Sequence, residues 1–227
     1  MKRDIGIVHY NTPELTGALI KSVRKQTPGC SITILDNSDR RPLEPVDGVT
    51  ILDNTRGQLI DFDALIARYP GQLKTCNRQG SAKHIASVDY LFDILPDGFV
   101  LMDGDILLKR DISDFWDRSY AWVGSAEQQT IPDLIARLAP YLLWINVPML
   151  RDHGIRFWHE GRAYKLSHEG PPFYDTGASL YHDCIEAKLV GRFVDIKQYA
   201  LHFIAGSYQG TEEAMQFWLE RNKHLYL

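Results

Sequence analysis

Phe99-Val100-Leu101-Met102-Asp103-Gly104-Asp105-Ile106-Leu107-Leu108 decides how the chain reads, because two carboxylates interrupt an otherwise unbroken apolar run. Four apolar residues without polar alternation mark a fully buried strand of the kind that parallel sheets cover on both faces. An unpaired charge in such surroundings costs on the order of several kcal/mol, and two like charges so close repel further. A divalent cation is the simplest means of keeping both ionised, and hard oxygen ligands suit Mg2+ or Mn2+. The plain alternative is a strand-ending turn with both aspartates facing water.

Upstream, Ile5 to Tyr10 is a mostly apolar strand that meets Asn11-Thr12-Pro13-Glu14. Thr12 is suited to cap a helix, Pro13 to its first position and Glu14 to its positive end. Leu15, Leu19 and Val23 form one face of that helix, which stops before Pro28-Gly29. A second strand, Ser31 to Leu35, ends at Asp36-Asn37-Ser38-Asp39, and a third, Val49 to Leu52, ends at Asp53-Asn54. Polar residues at successive strand ends point to a ligand crevice. Phe62, Leu65, Ile66 and Tyr69 make a helical stripe before Pro70-Gly71, and a further helix from Ser81 buries Ile85, Val88, Phe92 and Leu95. Lys83 and His84 then fall in its first turn, where the helix dipole disfavours cations by about 0.3 to 1 kcal/mol each. A pyrophosphate or carboxylate would compensate them, and two solvated side chains are the alternative.

Alternating strands and helices through residue 108 predict a mostly parallel α/β sheet. Beyond it the chain reads as a strand at Tyr120 to Gly124, a helix around Pro132 to Leu138, and a Gly- and Pro-broken region from His153 to Pro172. Strands near Ala178 to Tyr181 and Tyr199 to Phe203 follow, with Thr211 capping a last helix. No repeat or low-complexity linker divides the 227 residues, so one domain over 1–227 is expected.

Composition narrows the function. With 44% hydrophobic and 24% charged residues the chain is neither disordered nor fibrous, and a net charge of -4 offers no field for a nucleic-acid backbone. Cys30, Cys76 and Cys184 have no metal-site spacing and form no disulfide framework, which fits a reducing cytoplasm. The N-terminal residues lack a signal-peptide core, and Ala139 to Leu150 is too short to cross a bilayer.

With its opening strand, acidic second strand end and Asp103-Gly104-Asp105, the stretch from Ile5 to Leu108 resembles the GT-A fold of nucleotide-sugar-dependent glycosyltransferases, most closely family two. The resemblance implies a mixed, mostly parallel central sheet flanked by helices. Residues 1–108 would be the nucleotide-binding half, and 109–227 the acceptor-side half with a C-terminal helix. It implies nucleoside contacts from His9, Tyr10, Asn11, Thr12, Asp36 and Asn37, with Asp36 at the base or ribose. A helix cap and a turn are the other readings of these two segments. Asn77 to His84 is similar to the family's glycine-containing turn, which places Lys83 near the donor's phosphates; Asp103 and Gly104 would also contact the donor. Asp103, Asp105 and a late histidine, here His202, would hold Mn2+ or Mg2+; a hydrogen-bonded core histidine is the alternative for His202.

Trp144 to Leu150 and Phe173 to Leu180 are similar to sugar- and acceptor-side segments, and Trp144, Trp158 and Tyr174 either stack on sugars or fill core. Asp175 is the first choice for a catalytic base, with Glu127 and Glu169 behind it; Asp175 otherwise caps the turn into Thr176-Gly177. The expected activity is metal-dependent transfer from a nucleoside-diphosphate sugar, UDP preferred, to a glycan, lipid-linked or other hydroxyl acceptor, with inversion favoured. The rivals are retention and a binding or assembly module without turnover. Nucleotidyl transfer is disfavoured because His9 to Glu14 contains no Gly-rich basic loop. Phe217, Trp218, Leu225 and Tyr226 beside Arg221, Lys223 and His224 suit a membrane surface or partner, which sets peripheral association as the most the chain would make; a docked helix is the alternative.

Overall fold

In the computed structural model, residues 2–68, 79–127, 136–159, 174–203 and 211–227 are described. The apolar runs of the first half become β1 (Asp4–His9), β2 (Ser31–Asp36), β3 (Val49–Asp53), β4 (Phe99–Asp103) and β5 (Ile106–Leu108). The helical stripes become α1 (Pro13–Gln26), α2 (Phe62–Arg68) and α3 (Gln79–Ile94). The second half supplies β6 (Trp122–Gly124), β7 (Ala126–Glu127), β8 (Arg137–Leu138), β9 (Leu142–Ile145), β10 (Arg192–Phe193) and β11 (Ala200–His202). Its helices are α4 (Val147–Asp152), α5 (Ala178–Glu186) and α6 (Glu212–Arg221).

Seven strands form one sheet in the order β10-β6-β9-β4-β1-β2-β3. β1 pairs in parallel with β2 and β4, β2 with β3, and β6 with β10, whereas β9 runs antiparallel between β4 and β6. This is the mixed, mostly parallel sheet expected. Two short antiparallel ribbons, β5 with β11 and β7 with β8, stand apart from it.

Period-two alternation sorts the core into two layers. Ile5, Ile7, Ile32, Ile34, Val100 and Met102 meet Leu19, Ile20 and Val23 of α1 on one face. Leu35, Phe99 and Leu101 meet Ile85, Val88, Leu91 and Phe92 of α3 on the other. A smaller third cluster seats α6 on the β5–β11 ribbon through Leu15, Leu107, Phe203, Met215 and Leu219. The C-terminal helix is therefore docked, capped as expected by the Thr211 hydroxyl, which accepts from the Ala214 amide.

Two expectations for the second half are corrected. Ala178 to Tyr181 is the start of α5 and not a strand. Gly177, at φ 83°, turns the chain into that helix, and Leu180 and Cys184 bury one side of it four residues apart. The helix expected around Pro132 to Leu138 ends on strand β8 at Arg137–Leu138, where pairing with β7 prevails, while 128–135 lie outside the described residues.

Candidate metal and donor site

The register places polar strand ends side by side: His9 pairs with Asp36 and Asp36 with Asp53, while Asp103 comes level with Val8, the residue before His9. Because Phe99 and Leu101 face α3, Asp103 follows onto that same face. It meets His84 there, with Nε2 of His84 3.1 Å from Oδ1 of Asp103. The chain turns at Gly104 into β5, whose antiparallel pairing sets Ile106 opposite His202. His202 Nε2 thereby lies 3.3 Å from Asp105 Oδ1, and the His202 ring stacks on Tyr141 with centroids 4.6 Å apart. One donor atom each from Asp103, Asp105 and His202 lies within 4.8 Å of the others.

The electrostatics are those of a site short of positive charge. Burial pushes Asp103 up, but attraction to His84, and behind it to His202 and Arg137, outweighs burial and leaves it below the usual carboxylate range. Burial raises Asp105, and the neighbouring Asp103 carboxylate raises it further against a hydrogen bond from His202. His202 is held down by burial, yet Asp105, Asp103 and Glu127 together lift it above its ordinary value. Both shifts favour protonation of this pair, a positive charge that a divalent cation would otherwise supply. Two carboxylates and an imidazole are a chemically suitable donor set for one.

The residues expected at the nucleoside divide into a buried tier and a surface tier. His9 has no exposed surface: its Nδ1 lies 2.8 Å from the Thr16 hydroxyl, which donates to the Gly104 carbonyl at 3.3 Å. A methyl group on Gly104 would come within 2.8 Å of that hydroxyl oxygen, so the central glycine is a packing requirement. Asp36 is also buried, its two oxygens accepting from the amides of Ser38 at 2.9 Å and Leu43 at 2.7 Å. Beside it a cleft of about 520 Å3 is lined by Leu43, Val46, Ile51, Asp53 and Thr55.

Asn11, at φ 54°, organises the loop above. Its amide donates to Ser38 Oγ at 2.9 Å, its side chain donates to Asp39, and its Oδ1 accepts from the amides of Arg40 and Arg41 at 3.0 Å. Tyr10 donates to Asp39 at 3.1 Å. Asn37 donates to Ser87 of α3 and accepts from Asn54, each at 2.8 Å, which ties the ends of β2 and β3 to that helix. Thr12 precedes α1 as expected, but its side chain makes no capping bond: its φ of -125° and ψ of 59° depart from the extended cap geometry.

The helix bearing Lys83 and His84 begins at Gln79, not Ser81, which moves both residues into its second turn. The dipole argument therefore loses its basis, since that effect fades beyond the first turn. His84 nonetheless has an anionic neighbour, Asp103, while the Lys83 ammonium lies 5.2 Å from the centroid of the Phe62 ring.

On the acceptor side, Asp175 is ion-paired with Arg137, and its Oδ1 accepts from the Thr176 amide at 2.7 Å. Arg137 also binds Glu127 at 3.0 Å, so two of the three candidate bases share one guanidinium. Sequence reasoning missed Arg137, which belongs to no motif and sits in a stretch read as helix. Glu169 and the Gly206-Ser207 that follows His202 lie outside the described residues. Trp144 is buried among core residues, which assigns it to the core and not to sugar stacking.

No protein-family model matches the chain, and no curated protein matches it by sequence. Among solved structures, an active-site mutant of the galactosyltransferase LgtC is similar with a TM-score of 0.52 at 13% identity, over 86% of this chain and 73% of that one. The apo form of GlyE from Streptococcus pneumoniae TIGR4 gives 0.50 at 10% identity, over 87% and 46%. The bifunctional glycosyltransferase WbbM gives 0.50 at 11% identity, over 98% and 44%, so the chain spans under half the length of these last two. Likeness at such identities speaks for fold, and it does not single out family two, toward which the sequence leaned. The chain has the GT-A glycosyltransferase fold.

Proposed function

We propose that the protein is a metal-dependent glycosyltransferase that takes a nucleoside-diphosphate sugar, UDP-linked by preference, and transfers the sugar to a hydroxyl on a glycan, lipid-linked or other acceptor. The observation that carries this reading is the meeting of Asp103, Asp105 and His202 at the carboxyl edge of the parallel strands, where α/β sheets collect ligands. Asp105 and His202 hold Mn2+ or Mg2+, and Asp103 reaches the donor ribose or, through water, the ion. A cation held there would supply positive charge against that developing on the departing diphosphate, a stabilisation larger in the transition state than in the ground state.

Around it, Tyr10, Asn11, Thr12 and Asn37 frame the nucleoside. His9 and Asp36 act from behind, one supporting the Gly104 turn and the other shaping the 38–43 loop. Lys83 supplies positive charge toward the diphosphate on leaving the Phe62 ring. In an inverting reaction Asp175 removes the acceptor proton. The engagement of Asp175 by Arg137 and the Thr176 amide favours a second reading, retention, which requires no such base.

The experiment is thermal stabilisation by UDP, GDP, CDP and UDP-sugars, each with Mn2+ and with EDTA. Ligand at about 100 times Kd adds roughly 2.7 kcal/mol. A shift with one nucleotide that needs metal and vanishes in Asp105→Asn supports the reading. Metal-dependent binding without donor hydrolysis or transfer moves it to a binding module, and no shift at all removes it. Asp175→Asn with full transfer activity excludes the base, and the anomeric configuration of the product decides between inversion and retention.

A further inference from the structure

We infer that His84 is a positioning residue for Asp103: it occupies one oxygen of that carboxylate and presents the other to the metal and donor. The inference rests on the metal-site reading above and adds a residue to it. His84 projects from α3 toward the end of β4, with Nε2 3.1 Å from Asp103 Oδ1 and Nδ1 3.3 Å from the Thr176 hydroxyl. His84 Nε2 and Asp103 Oδ1 are both fully buried, and neither has a hydrogen bond of good geometry to any described residue, so each is the other's nearest recourse. The Asp103 side chain as a whole remains a quarter exposed, so Oδ2 is the oxygen left to face the crevice.

The contact between Nδ1 and the Thr176 hydroxyl on one side of the ring leaves Nε2 on the side of the carboxylate. A buried carboxylate oxygen without that neighbour would be free to rotate toward whatever cation occupied the site, changing both its bite and its charge. His84 removes that freedom. Thr176 follows Asp175 directly, so the same imidazole also ties the metal side of the site to the turn that carries the acceptor-side carboxylate. Partners that orient a metal ligand in this way alter metal affinity by about 10- to 100-fold when removed.

The test is Mn2+ binding to the full chain, read from the loss of the free-ion EPR signal, with and without UDP, for wild type, Asp105→Asn and three variants at 84. His84→Ala and His84→Asn weaken Mn2+ binding by about 10-fold or more. His84→Gln, whose amide nitrogen reaches the place of Nε2, recovers most of it. Asn reaches only as far as Nδ1, so a merely space-filling role would not separate Asn from Gln. Melting temperatures identify any variant that loses binding by unfolding, and the Asn and Gln comparison stands for variants that remain folded. Wild-type affinity in His84→Ala, or equal losses in Asn and Gln, overturns the positioning role while leaving the metal site intact. Mn2+ that fails to bind wild type, or binds Asp105→Asn equally well, overturns the metal-site reading and this inference with it.

Discussion

Gly104→Ala tests how the acidic turn is held. Gly104 has no positive φ, so alanine meets no backbone strain there; the cost is contact alone. A Cβ at 104 falls 2.8 Å from Thr16 Oγ1, 3.6 Å from the Val8 carbonyl oxygen and 3.9 Å from His9 Nδ1. Only the first is too close, and the Thr16 hydroxyl cannot swing away without leaving His9 Nδ1, its partner at 2.8 Å in a site with no access to water. Either the overpacking persists, at about 1 to 3 kcal/mol, or His9 loses its partner, at about 1 to 3 kcal/mol. Gly104→Ala is therefore expected to destabilise by about 2 kcal/mol, a fall in Tm of about 4 to 8 °C at this chain length. Thr16→Ala incurs the lost hydrogen bond but opens room for the methyl. The double variant should be no less stable than Thr16→Ala alone, a coupling of about 2 kcal/mol in a cycle measured by urea unfolding. Losses that add within about 0.5 kcal/mol would refute the idea that Thr16 and Gly104 compete for one space.

Three further outcomes follow from the site. His202 is raised above its ordinary 6.5, so its protonation supports the metal-free fold below that pH and the support is lost as pH rises through the folded value; Asp105, raised above 3.8, acts in the same direction. In EDTA the stability of wild type relative to His202→Asn should therefore shrink from pH 6 to pH 8, while Mn2+ affinity, which requires both groups deprotonated, rises over the same interval; parallel trends in the two quantities would contradict it. Gly177→Ala forces a left-handed φ of 83° on alanine and brings Cβ to 2.4 Å from the Leu138 carbonyl oxygen, so urea unfolding should show a loss of about 2 to 4 kcal/mol, well above that of a surface Gly→Ala. Arg137→Met leaves Asp175 and Glu127 without their shared cation; because all three side chains are partly exposed, stability should fall by about 1 kcal/mol or less, and a larger change in transfer rate than in stability would place Arg137 in the reaction.

The first half was readable because its elements are long and periodic. α1 and α3 repeat their apolar residues at three and four, β1 to β4 are bounded by turn residues, and each strand ends on a side chain that the sheet register then aligns. The unreadable parts are short or non-local. Ala178-Ser179-Leu180-Tyr181 has no period in four residues, so the φ of Gly177 decided its form. Asn11 and Asn54 look like turn residues in sequence, and only the fold reveals that each satisfies several amides of a neighbouring loop. Asp175 was legible as a carboxylate in a suitable segment, but Arg137, on which its chemistry depends, lies 38 residues away and bears no local mark. His84 was noticed for its charge at a helix start that proved to lie elsewhere; the partner that matters is across the layer, in β4.

The β5–β11 ribbon joins residues 106–108 to 200–202, and α6 closes over it from the last stretch of the chain. Its two strands stand nearly a hundred residues apart in sequence, and β4, which leads into it, is itself flanked by β9 of the second half. The cluster of Asp103, Asp105 and His202 is therefore a long-range product of the chain, assembled only when β11 pairs with β5. On the metal-site reading proposed above, the acidic pair becomes a three-donor set only when the β5–β11 pairing closes.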